Sequence, residues 1–158
     1  MAGDKHALRR RNALIDKIMK QYDDDAGGPV LPVVKLEDFF ESNWDEHSLA
    51  PNRVDSGRPP LQECYRILLE IRERPDVQDV LIAIHETPDA GEPLDFDIWP
   101  SSDTVYVLSS APKDQVASWV APLKPDDIGD TWSCNTGKKP NAAPDPAPGM
   151  NVYAVWWD

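Results

Sequence analysis

The residues with the most chemical potential in this sequence are His85 and Glu86, followed by Asp95, Asp97 and Asp103. An imidazole among carboxylates is a donor set for a divalent metal. A metal on His85, Glu86, Asp95 and Asp97 would make the chain a small metal-assisted hydrolase or a ligand-binding enzyme. The spacing matches no known metal loop, because Asp95-x-Asp97 lacks the later ligands and the glycine of an EF-hand. Cys134 lies in the polar stretch Trp132-Ser133-Cys134-Asn135-Thr136-Gly137. A nucleophilic thiol needs a base or a positive field beside it, and no histidine follows it in the chain. The sequence has no G-x-S-x-G, no phosphate loop and no dinucleotide fingerprint. No catalytic residue and no cofactor is therefore expected.

What remains is charge. The 158 residues include 28 acidic and 16 basic side chains, a formal net charge of -12. Such a field repels nucleic acid and anionic membranes and favours a basic protein partner. The leading expectation is a non-catalytic, acidic protein-binding domain, with the metal-assisted enzyme as the alternative. Candidate partner contacts are Asp38, Glu41, Trp44, Asp45 and Glu46, an acidic run with one aromatic anchor. No apolar run approaches the roughly 20 residues that cross a membrane. The first residues hold charges but no apolar core of a secretory signal. The two cysteines, Cys64 and Cys134, are too few for a disulfide framework. A cytoplasmic setting is expected.

The elements that must position these residues centre on Pro59 to Glu86. Leu61, Cys64, Tyr65, Leu68 and Ile71 recur at steps of three and four, so they line one helix face. Proline suits the first turn, and Pro75 stops the helix. Val80 to Ile84 is a β-branched run of strand length. Three further strands are expected at Val30–Leu36, Thr104–Leu108 and Met150–Trp157. A second core helix is marked by Val116, Trp119, Val120 and Leu123. Residues 42–58 and 87–98 are polar loops. Residues 124–149, rich in proline and glycine, are a long irregular excursion.

An amphipathic helix over residues 5–23 precedes all of this. Its start is basic and its end acidic, the wrong way round for the helix dipole, so it needs a surface to dock on. The expected organisation is a helical arm, residues 1–28, and one α+β domain, residues 29–158. The order strand, helix, strand, strand, helix, strand is that of a ferredoxin-like β-α-β-β-α-β antiparallel sheet, with the N-terminal helix added. Successive strand residues are apolar on both faces. Two core helices cover only one face. The other is expected to be covered by the first helix, packed in cis or given to a second copy through Ile15, Ile18, Met19 and Tyr22. A homo-oligomer is therefore expected, with Gly27-Gly28 as hinge.

The stretches VKLEDFFESN (34–43), IRERPDVQDV (71–80) and WPSSDTVYVLSSA (99–111), with the ending VYAVWWD (152–158), resemble a set of uncharacterised small acidic bacterial proteins. The resemblance covers most of the chain after residue 30 and leaves the basic first helix outside it. It transfers no functional residue. Small acidic proteins of this kind often serve as immunity proteins, so neutralising a basic toxin is the role the resemblance implies by association.

Overall fold

The computed structural model describes residues 5–24, 31–92, 95–132 and 138–158. The elements run α1 (Lys5–Asp24), β1 (Val33–Lys35), α2 (Leu36–Phe40), α3 (Leu61–Arg72), β2 (Val77–Ala83), β3 (Thr104–Ser109), α4 (Lys113–Val120), β4 (Asp127–Gly129) and β5 (Asn151–Trp156). Single 3-10 turns at Glu46–Ser48 and Pro51–Arg53 shape the connection from α2 to α3. The expected Gly27-Gly28 hinge, and with it the boundary between arm and domain, lies outside the described residues, as does Cys134.

Helix α3 forms where its periodicity predicts it. Leu61, Cys64, Ile67, Leu68 and Ile71 are buried along one face. Pro60 precedes its first residue, and the free N–H of Leu61 is taken by the Glu46 carboxylate at 2.9 Å. The helix ends at Arg72, three residues before Pro75, and the chain turns into β2. Strand β2 then pairs with β3, placing Val80 opposite Val107, Leu81 opposite Tyr106 and Ile82 opposite Val105. Paired residues share a face, so the sheet sorts its apolar side chains into two layers.

The sheet order is β1-β2-β3-β5-β4, and every pairing is antiparallel. An α+β fold with an antiparallel sheet and a leading helix is thus present, but its strand order departs from the ferredoxin-like expectation. A split βαβ unit holds the strands on either side of its helix parallel and apart. Here those strands, β1 and β2, are adjacent and antiparallel. The reason is the length of the connection. Helix α2, the two 3-10 turns and α3 together carry the chain out and back, so β2 can return beside β1 in the opposite direction. The strand signal also overreached, since Leu36 opens α2 instead of ending β1. The short edge strand β4, inside the proline-rich excursion, had no periodicity to announce it.

One layer holds all four helices. Leu14 and Ile18 of α1, Leu36, Phe39 and Phe40 of α2, the buried face of α3 and Val116 and Val120 of α4 join Val80, Ile82, Val105, Val107 and Val155 in one core. The other layer contains Leu81, Ala83, Tyr106, Leu108, Val152 and Ala154, with Val33. Helix α1 does not cover that second face, contrary to expectation. Trp132 and Ala143 of the proline-rich excursion do, with Leu31 packed beside them. Trp132 meets Tyr106 edge to face, ring centroids 4.9 Å apart. The excursion is fastened by Gln78, whose amide donates to Asp145 O at 3.0 Å and accepts from Ala147 N–H at 2.8 Å. Lys139 Nζ donates to the carbonyls of Pro140 at 3.0 Å and Ala143 at 2.6 Å.

Candidate functional site

Beyond the end of β2, His85 and Glu86 continue the extended chain. His85 N–H donates to Ser101 O at 2.8 Å, and Ser101 N–H donates to Glu86 O at 2.9 Å. The segment entering β3 is thereby held beside them. Residues 45–52 close the third side, where Ala50 N–H donates to Ser102 O at 2.8 Å and Ser102 N–H to Ser48 O at 2.7 Å. Between them opens a cleft of about 520 Å³, whose walls include Asp45, His47, His85, Glu86, Asp97 and Asp103. Among the described residues neither lysine nor arginine lines it.

Its charged groups fall into two kinds. Asp45 and Asp103 are committed to the fold. Asp45 accepts from His47 N–H at 3.0 Å through one oxygen and from Trp99 N–H at 3.2 Å through the other. Asp103 lies 2.7 Å from His85 Nε2 and accepts from the Thr104 hydroxyl at 3.0 Å. Burial pushes the Asp103 carboxyl up, but His85, Thr104 and the backbone outweigh it and hold it below the ordinary value. Glu86 and Asp97, by contrast, have no side-chain partner among the described residues. They are the open carboxylates of the cleft.

The His85 ring is held at both nitrogens by one residue. Nδ1 accepts the Asp103 backbone N–H at 3.4 Å, and Nε2 faces the Asp103 carboxylate. Together these contacts orient the ring, with Nε2 directed at the Asp103 carboxylate. Both ring nitrogens are thus engaged by Asp103. The neighbouring hydroxyl of Ser102 is spent inside the fold, donating to Thr104 O at 3.0 Å and accepting Thr104 N–H at 3.1 Å.

The metal set named from the sequence is only partly assembled. His85, Glu86 and Asp97 reach the cleft, but Asp95 turns into its own loop and accepts Asp89 N–H at 3.0 Å. Among the described residues no group of three His, Cys, Asp or Glu side chains converges to hold a metal. Sequence reasoning underrated Asp103, which lies 18 residues from His85 and meets it only through the pairing of β2 with β3.

The five residues named as partner contacts are separated. Asp38 pairs with Lys17 at 3.3 Å and Glu41 with Arg10 at 3.1 Å, so the chain's own α1 takes both carboxylates. Glu46 holds Arg58 and the start of α3. Trp44 is half-buried, edge to face with the fully buried Trp99 at 5.3 Å. Only Asp45 lines the cleft. Of the residues assigned to an oligomer interface, Ile15 and Ile18 are already buried within this chain, whereas Met19 and Tyr22 are exposed. Cys64 is a buried free thiol whose pKa burial raises, so it is no nucleophile.

Fold and cleft together define a small α+β protein with one antiparallel sheet and an anionic cleft at the end of its central hairpin. The chain belongs to the family described as "Uncharacterized protein YfbO family", which it matches over residues 9–155. It is 34% identical over 130 residues to "Uncharacterized protein YfbO" of Escherichia coli (strain K12), covering 80% of this chain and 83% of that protein. The first helix, set outside the resemblance read from the sequence, is inside the family match from Arg9 onward. No solved structure matches the chain significantly.

Proposed function

We propose that this protein is a non-catalytic binding domain whose anionic cleft receives a basic side chain of a protein partner. One observation carries this: among the described residues Glu86 and Asp97 have unpaired carboxylates, and no lysine or arginine lines their cleft. A guanidinium or ammonium group placed there gains charge-assisted hydrogen bonds in a partly desolvated setting. The net charge of -12 speeds the encounter with such a partner and makes it salt-sensitive. The locked His85 ring supports binding over acid–base chemistry. A cytoplasmic location accords with the free thiol of Cys64. Among the described residues no helix is long and apolar enough to cross a membrane.

The test uses a short neutral-ended peptide with a single arginine, titrated into the labelled protein and followed by NMR. Shifts should concentrate at His85, Glu86, Asp97 and Trp99. They should weaken at least fivefold in the double variant Glu86→Gln, Asp97→Asn and fade with added salt. Shifts scattered over the acidic surface and unchanged in the variant would remove the cleft as the site. A basic toxin is one partner of this chemistry. Its signature is a neighbouring gene whose basic product forms a complex with this protein and loses activity in it; a gene standing alone, with no such product, excludes the immunity role.

A further inference from the structure

Arg11 is fully buried, an unusual place for a guanidinium. Its Nε donates to Ile98 O at 2.6 Å and one terminal nitrogen to Asp95 O at 2.5 Å. The other terminal nitrogen donates to Asn12 Oδ1 at 2.7 Å. The two carbonyls belong to the turn that carries Asp97 into the cleft, a turn closed by Ile98 N–H donating to Asp95 O at 3.0 Å. The other fastenings of that turn are weaker or lie at its edge. Trp44 Nε1 donates to Asp97 O at 3.3 Å, and Asp45 accepts Trp99 N–H at 3.2 Å.

Resting on the cleft as the binding site, we propose that Arg11 is a positioning residue for Asp97, so that the N-terminal helix is a structural part of the cleft and not an accessory arm. The planar fork of a guanidinium spans two carbonyls at fixed geometry, which a point-like ammonium does not. A fixed internal cation under the turn also offsets the negative charge of Asp95 at its start. Helix α1 itself does not depend on Arg11 for its seat. Leu14 and Ile18 are buried in the main core, and Gln21 both donates to Val33 O at 2.8 Å and accepts Val33 N–H at 2.9 Å. Loosening the turn is therefore separable from losing the helix.

The experiment compares the full chain with Arg11→Met and Arg11→Lys. Amide hydrogen exchange is read at Ile98 and Trp99 against Val105 and Val107 in β3 as an internal standard. In Arg11→Met exchange at the turn should rise at least tenfold relative to β3, and the affinity for the single-arginine peptide should fall at least fivefold. Arg11→Lys, which keeps the charge and one donor contact, should recover part of both and guards against a Met variant that fails to fold. Uniformly faster exchange, turn and β3 alike, would mean a purely structural role and overturn the proposal. So would fast exchange at the turn with undiminished peptide affinity. A wild-type protein that takes no peptide would sink the cleft as a binding site. In that case the ratio of exchange at the turn to that in β3 still decides whether Arg11 holds Asp97 in place.

Discussion

At the scale of single residues, charge was legible in the sequence and its pairing was not. Asp38, Glu41 and Glu46 stood out as acidic, yet each is occupied by a group of this same chain. Lys17 is 21 residues from Asp38, and Arg10 is 31 from Glu41. No local pattern encodes such a meeting. The same holds for Glu37, whose two oxygens face both terminal nitrogens of Arg72 at 2.8 and 2.5 Å. This fork joins α2 to the end of α3. Hydrogen bonds from Arg72, opposed by burial, hold the Glu37 carboxyl at about 2 instead of 4.5. A carboxyl with a depressed folded pKa binds fewer protons folded than unfolded. Its stabilisation is complete above pH 4.5 and disappears as pH falls toward 2. Both groups keep some contact with water, so the contribution stays near or below about 1 kcal/mol. Arg72→Met should return the Glu37 carboxyl toward ordinary titration in NMR, and Glu37→Gln should flatten the acid limb of stability between those two pH values. An unmoved Glu37 titration in Arg72→Met would assign the depression to another cause.

At the scale of elements, periodicity located α1, α3 and α4, missed the short α2 and said nothing of what the helices lie against. The stripe expected from the sequence, Leu8, Ile15, Ile18, Met19 and Tyr22 with Leu14 and Arg11 beside it, holds only in part: Leu14, Ile15, Ile18 and Arg11 are buried, Leu8 is half-buried, and Met19 and Tyr22 are exposed. A helical stripe fixes which side is covered; only the rest of the fold fixes by what. Here Asp38 of α2 and Glu41 just beyond it pair with Lys17 and Arg10 of α1, which offsets part of the basic charge that opposes its dipole. The prediction at this scale separates the buried face from the exposed one. Ile18→Ala removes a wholly buried side chain from the main core and should cost about 2–5 kcal/mol. Met19→Ala, at a position 48% exposed, should change stability by no more than about 0.5 kcal/mol. Denaturant unfolding of the two variants checks this. Equal, small losses would mean that α1 is not seated on the core in solution.

At the scale of the whole molecule, the sequence rightly shows that both sheet faces are apolar, and an α+β domain with a bare face would dimerise. The face is not bare. A segment without secondary-structure periodicity covers it, and composition rich in proline, glycine and asparagine gave no sign that Trp132 and Ala143 would lie on Tyr106, Leu108 and Val152. Self-association thus loses its driving force, since the apolar layer that would have been shared is already withdrawn from water. Met19, Tyr22, Ile98 and Trp156 are the large apolar residues left exposed among those described, and single exposed apolar groups are ordinary. The wild-type chain should therefore scatter light as a monomer at micromolar concentration. Trp132→Ala deletes the 93%-buried ring that meets Tyr106 edge to face, since Trp132 retains only 7% exposure. It should cost about 3 kcal/mol or more by cavity formation and lost transfer energy. The uncovered layer should then bring concentration-dependent association, visible as a rising apparent mass. A wild-type dimer that persists on dilution would show that another surface joins two copies. A Trp132→Ala protein that stays monomeric and fully stable would show that the excursion does not shield the sheet.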